Sequence, residues 1–380
     1  MKITNARHLA LVLASLALAS CTFHRCPFST RSTPPPAAAQ SAGDRLTQRI
    51  SASDARFRYE GRFDFSDSNA TVIVWQASRI SLDFSGDILI LLFDDAKGQC
   101  FFNATVDGTN RVIAVRKGKP ATPASLTGLG AGRHHLELVK RSEADAGTVR
   151  FHGVKLAAGA NAWAPPLPDY RLRMEFFGDS ITVGACNEDG PADQWADRRT
   201  HNAAFSYAAL TADAFAADYR NIAVSGMGIA TGWVDKQAGE VWDKIYPNPA
   251  SARADLTHWV PQVVFVNLGE NDDSYPRAHG QPFPANFTSG YVALIRAIRA
   301  AYPDAHIVLL RGGMFGGAQG GPLRLAWEAA ATQLETTDPN DSHFVFTHWT
   351  HTHPRVADDR ILADELIAWL KQQPFMPAAN

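Results

Sequence analysis

The spacing of hydrophobic residues divides the chain into two regions. From about residue 56 to residue 156, apolar and polar residues alternate, as in the segment ISLDF at positions 80–84. A period of two is typical of a strand with one buried face. Similar short runs follow at 87–93, 100–106, 111–116, 136–138 and 149–151, with the tight-turn signal Asp107-Gly108 among them. About eight such strands without a helical pattern predict a β-sandwich of the jelly-roll kind.

The second region has the pattern of an α/β protein. Continuous apolar runs at 174–177, 263–268 and 307–310 are typical of parallel strands that are buried on both faces. Apolar residues at helical spacing form two further sets: Phe287, Tyr291, Leu294, Ile295, Ile298 and Tyr302, then Ile361, Leu362, Leu366, Trp369 and Leu370. We therefore predict a doubly wound parallel sheet of the flavodoxin-like kind, with a binding site beyond the carboxyl ends of its strands.

A proline-rich segment at 157–168 separates the two regions. It contains Pro165, Pro166 and Pro168, and we expect it not to continue a sheet because proline cannot donate to a ladder. This boundary places the β-sandwich domain at residues 51–160 and the α/β domain at residues 169–375.

The N-terminal segment has the pattern of an export signal. Lys2 and Arg7 precede an apolar run at 9–19, the layout of a secretory signal peptide. The run ends in Leu18-Ala19-Ser20-Cys21, which resembles a bacterial lipobox, in which the cysteine is diacylated and becomes the mature N-terminus. We expect removal of residues 1–20, a lipid on Cys21, and a Pro- and Ala-rich tether at 21–50. The alternative is an ordinary signal peptide with Cys21 incidental.

These features predict an exported lipoprotein of the cell envelope, at the outer membrane, facing the periplasm or the surface. Its membrane contact would come from the anchor alone, because no later apolar stretch is long enough to span a bilayer. The 380 residues are 46% hydrophobic and 19% charged, as in a packed soluble protein, and the net charge is −2. Without a basic run, nothing indicates a nucleic-acid partner.

The remaining cysteines are Cys26, Cys100 and Cys186. Export permits a disulfide, and an odd number leaves at least one thiol unpaired. A bond between Cys100 and Cys186 is conceivable, although sequence cannot establish their proximity. No CxxC or Cys/His spacing indicates a zinc site, so the sequence predicts neither a metal ion nor a cofactor.

Four polar or glycine positions follow predicted strands of the second region. Ser180 follows the run 174–177, Gly226 lies in a glycine-rich loop, Asn271 follows the run 263–268, and His353 precedes the last helix. Each alone has an ordinary structural explanation, such as a helix cap, a turn or a core histidine. Together they are the parts needed for a nucleophile, an oxyanion hole and a general base at one edge of one sheet.

These motifs resemble the SGNH (GDSL-like) hydrolase superfamily. The resemblance covers most of residues 170–372 and depends on Gly178-Asp179-Ser180, Gly226, Gly269-Glu270-Asn271-Asp272 and His353-Pro354. It implies that Ser180 is the nucleophile and His353 the general base. It also implies an oxyanion hole made of the Ser180 N–H, the Gly226 N–H and the Asn271 amide.

The first domain narrows the resemblance to carbohydrate esterase family 2, over about residues 56–372. The segments concerned are YEGRFDF at 59–65, VDG at 106–108, LELVKR at 136–141, FFGDSITVG at 176–184 and NE at 187–188. That family combines a jelly roll with an SGNH domain. The resemblance implies an acetyl esterase that deacetylates plant polysaccharides, with a preference for the sugar 6-hydroxyl.

One position departs from the SGNH pattern. These enzymes usually carry an aspartate three residues before the histidine, where this chain has Thr350. Some members of the esterase family work with a Ser-His dyad, in which a main-chain carbonyl orients the histidine. The resemblance therefore implies a dyad, with a carbonyl between His348 and Thr352 as the orienting group. Asp358 or Asp359 are alternatives that no pattern supports.

Substrate contacts and substrate identity stay open. Trp195, Trp233 and Trp349 lie near the motifs and could stack on sugar rings, or could equally belong to the core. A lipoprotein that binds glycan without hydrolysing it is an alternative of another class. An esterase acting on acetyl groups of peptidoglycan or exopolysaccharide is a second alternative.

Overall fold

A computed structural model of the chain describes residues 46–117, 124–315 and 321–377. The predicted signal segment, Cys21, Cys26 and nearly all of the predicted tether lie outside these residues.

The described part of the first domain contains eleven strands. They are β1 (Leu46–Ser51), β2 (Arg58–Glu60), β3 (Phe63–Asp67), β4 (Ala70–Ile73), β5 (Arg79–Ser85), β6 (Ile88–Val106), β7 (Thr109–Arg116), β8 (Ala124–Thr127), β9 (Arg133–Lys140), β10 (Gly147–Ala157) and β11 (Ala162–Trp163). All of their pairings are antiparallel.

The long strand β6 belongs to two sheets. Its first half pairs with β8 and β10, and its second half pairs with β7 and β9. The runs 87–93 and 100–106, which the sequence suggested as separate strands, are therefore one strand that passes from one sheet to the other. Apolar side chains from both sheets form the core between them, including Leu82, Leu91, Phe102 and Phe151. The predicted β-sandwich is confirmed.

The proline-rich segment does contribute to a sheet. Ala162 and Trp163 form β11 and pair with Phe84 and Asp83 of β5. The expectation that this segment cannot continue a sheet was wrong, because its prolines begin only at Pro165 and the two residues that pair lie before them.

The second domain contains a five-stranded parallel sheet. Its strands are β12 (Leu172–Gly178), β13 (Ala217–Ala223), β14 (Val263–Asn267), β15 (His306–Met314) and β16 (Asp341–Thr350), in the order β13-β12-β14-β15-β16. Among the described residues, the helices are α1 (Ser180–Val183), α2 (Tyr207–Ala214), α3 (Ala238–Val241), α4 (Glu270–Ala278), α5 (Phe287–Ala301), α6 (Gly321–Thr337) and α7 (Val356–Leu370). Short 3₁₀ turns cover Arg198–Thr200 and Ala203–Phe205.

Helices cover both faces of this sheet. Residues of α5 and α6 pack with Val264 and Val266 in one cluster. Residues of α2 and α7 pack with Val263 and Phe265 in another. Successive β14 residues thus face opposite cores, which explains the uninterrupted apolar run and confirms the doubly wound α/β prediction. Within the described ranges, no helix combines the length and apolar character needed to cross a bilayer.

The two domains share buried contacts. Val74 and Trp75 of the first domain belong to the same core cluster as α5 of the second. The buried Arg62 donates to Glu175 of β12 at 3.0 Å and to the carbonyl of Trp242 at 2.7 Å. These buried contacts fix the positions of the β-sandwich loops relative to the α/β domain.

Candidate active site

Ser180 lies directly after the carboxyl end of a central strand. The side chain of Asp179 accepts a hydrogen bond from the N–H of Ile181 at 3.1 Å and caps α1, of which Ser180 is the first residue. Gly178 permits this tight turn, since a Cβ there would lie 2.1 Å from Thr182 Oγ1. The serine is held where its hydroxyl meets a cavity of about 470 Å³.

The cavity is lined by all four residues that the sequence singled out: Ser180, Gly226, Asn271 and His353. They come from four separate parts of the chain and meet at the carboxyl edge of the sheet. The structure therefore brings the four predicted residues together, and their catalytic roles stay predictions. Trp195 and Trp233 line the same cavity and are 43% and 52% exposed.

Gly226 lies in a left-handed backbone conformation with φ +80°, and a Cβ there would approach Trp233 Cβ to 3.0 Å. Its carbonyl accepts from the N–H of Trp233 at 2.8 Å, which closes the loop on the cavity. The preceding residue, Ser225, donates its N–H to Glu143 Oε2 at 3.0 Å. A side chain of the first domain thus holds the loop that carries the predicted oxyanion donor.

The amide of Asn271 already has two acceptors. Its Nδ2 donates to Asp179 Oδ2 at 3.1 Å and to the carbonyl of Met227 at 2.9 Å. These bonds fix the amide at the cavity wall. A substrate oxyanion would have to share one of its hydrogens, and the longer bond to Asp179 is the one more easily weakened.

Two buried carboxyl groups support this wall. Burial raises the pKa of Asp179 to about 8. Burial also raises the pKa of Asp272, to about 6, although backbone N–H groups, including three from one neighbouring loop, oppose the shift. Those three donors belong to residues 229–231, so Asp272 fastens the chain that follows the Gly226 loop to helix α4.

The group that orients His353 differs from the expectation. His353 Nδ1 lies 2.7 Å from Asp193 Oδ2, and the same oxygen accepts from the His353 backbone N–H at 3.2 Å. The predicted main-chain carbonyl is replaced by a carboxylate from the loop between α1 and α2. The dyad interpretation was wrong in this respect, because folding brings an acid from 160 residues away.

Arg355 holds this carboxylate in place. Its Nη1 donates to Asp193 Oδ1 at 2.8 Å and to the carbonyl of His353 at 2.8 Å, and its Nε donates to Gly190 at 2.8 Å. Although burial opposes it, hydrogen bonding from His353 and Arg355 lowers the pKa of Asp193 well below its usual range. Asp193 is therefore ionised at neutral pH and can stabilise an imidazolium.

The other acids considered for this role have different partners. Asp358 lies 2.8 Å from His348 Nε2. Asp359 is buried and accepts from the N–H of Tyr207 at 3.0 Å. In the loop itself, the carbonyl of Thr352 accepts from the Thr350 hydroxyl at 2.6 Å.

The three tryptophans are placed differently from one another. Trp195 lies against His353, with ring centroids 5.1 Å apart, and Trp233 donates its indole N–H to Ser274 at 3.0 Å. Trp349 packs against Phe315, and it is not among the residues lining the cavity. Its predicted contact with substrate stays a prediction.

Sequence patterns did not indicate three further residues near the site: Asp193, Glu143 and Arg198. Glu143 and Arg198 line the cavity and form an ion pair at 3.3 Å across the domain boundary. The guanidinium of Arg198 also lies 4.5 Å from the ring centre of Trp195. Only Glu143 had an adjacent signal, since it follows the segment 136–141 that carried the family resemblance.

Within the part of the chain that the structure describes, Cys100 and Cys186 are both buried free thiols. These two cysteines therefore do not form the disulfide that the sequence permitted.

Both domains match known protein families. Residues 59–166 match the model of the carbohydrate esterase 2 N-terminal domain, and residues 176–365 match the GDSL-like Lipase/Acylhydrolase family. The solved structure of a family two carbohydrate esterase from Clostridium thermocellum, in complex with cellohexaose, is 31% identical with a TM-score of 0.74. It covers 83% of this chain and 98% of that chain.

Two curated proteins are also similar. Cellulase/esterase CelE of Acetivibrio thermocellus is 33% identical over 325 residues, and the alignment spans 83% of this chain but only 39% of that protein. An acetylxylan esterase / glucomannan deacetylase of Cellvibrio japonicus is 29% identical over 315 residues, or 79% of this chain and 85% of that protein. The chain is thus a GDSL-like hydrolase domain preceded by a β-sandwich. It belongs to carbohydrate esterase family 2.

Proposed function

We propose that this protein is a serine esterase that removes O-acetyl groups from carbohydrate, with Ser180 as nucleophile, His353 as general base and Asp193 as the carboxylate that orients the base. The observation that carries the proposal is the placement of Ser180 and His353 on one cavity, with Asp193 hydrogen-bonded to His353 Nδ1. That bond occupies Nδ1 and leaves Nε2 as the nitrogen that can take the serine proton.

The reaction proceeds in two acyl-transfer steps. His353 Nε2 takes the hydroxyl proton of Ser180 while Oγ attacks the acetyl carbonyl, and the oxyanion is stabilised by the N–H groups of Ser180 and Gly226 with the Asn271 amide. Each well-placed donor contributes about 3 kcal/mol. The imidazolium then protonates the departing sugar hydroxyl, and water attacks the acetyl-enzyme to release acetate.

The substrate proposal is an acetylated plant polysaccharide with the ester on the sugar 6-hydroxyl. It is supported by family membership and by relatives named acetylxylan esterase / glucomannan deacetylase. Purified protein should release acetate from acetylated glucomannan and xylan, and NMR of partly digested glucomannan should show early loss of 6-O-acetyl signals. The Ser180→Ala variant should be folded and inactive. Wild-type turnover in that variant would rule out the serine mechanism, and random loss of acetyl signals would rule out the positional preference.

We also propose that the protein is an exported lipoprotein anchored through Cys21. The support is the segment Leu18-Ala19-Ser20-Cys21 after a charged and apolar leader. Mass spectrometry of the N-terminal peptide from envelope-fractionated protein should show a diacylglycerol on Cys21, and Cys21→Ser should abolish it. An unmodified mature terminus at another residue would contradict the anchor and leave the esterase proposal intact.

A further inference from the structure

The thiol of Cys186 lies close to His353, the residue that we assign as the general base. Cys186 Sγ, an Asp193 carboxylate oxygen and a His353 ring nitrogen all lie within 4.8 Å of one another. The sequence spacing did not indicate this group, because Cys186 follows α1, Asp193 lies in a loop and His353 precedes α7. Thiolate, carboxylate and imidazole are all ligands of Zn²⁺, and sulfur favours zinc over hard cations.

A small tetrahedral ion would fit between the three groups after a small rearrangement. With sulfur at about 2.3 Å and nitrogen or oxygen at about 2.0 Å from zinc, adjacent ligand atoms are about 3.3 to 3.6 Å apart. The Nδ1–Oδ2 pair, at 2.7 Å, would have to widen, and the other pairs lie within 4.8 Å. A second imidazole adjoins the group, since His201 Nε2 is 3.4 Å from Cys186 Sγ.

Of the two carboxylate oxygens of Asp193, one is available to a metal ion. Arg355 occupies Asp193 Oδ1, so Oδ2 is the oxygen that faces the ring. Burial raises the pKa of the Cys186 thiol, the charges of Asp189 and Asp193 act in the same direction and Arg198 opposes them, so a metal ion must displace the thiol proton. His353 and Asp193 are partly exposed, with side-chain exposures of 15% and 29%, so an ion can approach the group past these two residues, whereas Cys186 is buried.

We propose that Cys186, Asp193 and His353 form a Zn²⁺ site and that zinc bound there inhibits the esterase. Zinc takes the lone pair of His353 Nδ1, so the neutral ring carries its proton on Nε2. A protonated Nε2 cannot accept the proton of Ser180, which blocks the first step. Cys186 binds as the thiolate and releases its proton to solvent. The inhibition rests on the proposed function, whereas zinc binding does not.

Cobalt gives a test that is independent of activity. Co²⁺ added to EDTA-treated protein should produce the sulfur-to-cobalt charge-transfer absorption of a thiolate ligand, and added Zn²⁺ should displace it. Cys100→Ser is the matched control and should keep the band, whereas Cys186→Ser should lose it. A variant that retains Cys186 alone, with Cys21, Cys26 and Cys100 changed to Ser, should also keep the band. Absence of a band from this variant and the wild type would overturn the site.

Activity then tests the consequence. Hydrolysis of 4-nitrophenyl acetate should fall at micromolar free Zn²⁺ and recover with EDTA. In Cys186→Ser, half-inhibition should need at least tenfold more zinc, with metal-free activity within about twofold of the wild type. Equal zinc sensitivity in the two proteins would overturn inhibition through this site. A protein without esterase activity at any zinc level would contradict the proposed function instead, and the cobalt titration would still decide the binding.

Discussion

Replacement of Asp193 by asparagine tests the most unexpected feature of the site. Both carboxylate oxygens accept hydrogen bonds: Oδ2 from the ring and backbone of His353, and Oδ1 from Arg355. An asparagine has one oxygen and one NH₂ group at this place. If its oxygen faces His353, its NH₂ opposes the guanidinium. If its oxygen faces Arg355, its NH₂ opposes the His353 N–H and favours the ring tautomer that cannot act as base.

The expected loss follows from the charge. Two unit charges about 4 Å apart at an effective dielectric constant of about 20 interact by about 4 kcal/mol. The Asp193 side chain is 29% exposed, so solvent screening reduces this to about 2 kcal/mol. Because 1.36 kcal/mol is a factor of ten in rate, Asp193→Asn should lower kcat by about 30-fold. In a serine protease, replacing the catalytic aspartate by asparagine costs more, about 10⁴ in kcat, because it fixes the wrong tautomer of the histidine. A loss of that size here would show that the introduced NH₂ group faces the ring of His353.

The assay is steady-state hydrolysis of acetylated glucomannan and of 4-nitrophenyl acetate, with KM expected to change little. Asp197→Asn is the matched control, since it lies in the same loop and contacts Arg116 rather than His353. Its kcat should stay within about twofold of the wild type, and circular dichroism should show both variants folded. A folded Asp193→Asn enzyme with wild-type kcat would refute the role of this carboxylate.

Three further predictions concern the support of the site and the fold. Asn271→Ala should lower kcat by about a hundredfold with a smaller effect on KM; an effect on KM alone would remove Asn271 from the oxyanion hole. Glu143→Ala should lower kcat by about tenfold, since Ser225 loses a charged acceptor worth about 1.5 kcal/mol, whereas Glu143→Gln should stay within about threefold; equal losses would contradict this. Burial lowers the pKa of Lys140 to about 8, and its amine donates to three backbone carbonyls at 2.6–3.0 Å. Lys140→Met should therefore reduce the free energy of unfolding in urea by about 3 kcal/mol. An unchanged midpoint of urea unfolding would contradict a stabilising role of these hydrogen bonds.

Local patterns predicted the architecture because each reports which faces of an element are buried. The alternation at 80–84 reflects a strand of the sandwich, although its polar members, Ser81 and Asp83, are buried as well. The spacing from Phe287 to Tyr302 reflects a helix with one face on the sheet, and these six residues are indeed buried. The positions of Ser180, Gly226 and Asn271 followed from the same information, since the carboxyl ends of parallel strands meet at one edge.

The orienting acid could not be found in this way. The SGNH pattern places an acid three residues before the histidine, and at that spacing this chain has Thr350. Asp193 reaches His353 only because its loop is fixed by bonds such as those from Arg355, which starts the last helix. Glu143 enters the cavity because buried contacts dock the sandwich on the α/β domain. Local periodicity thus determined the elements and the edge where the site lies, whereas contacts between residues distant in sequence determined which charged groups complete it, because periodicity carries no information about how loops pack.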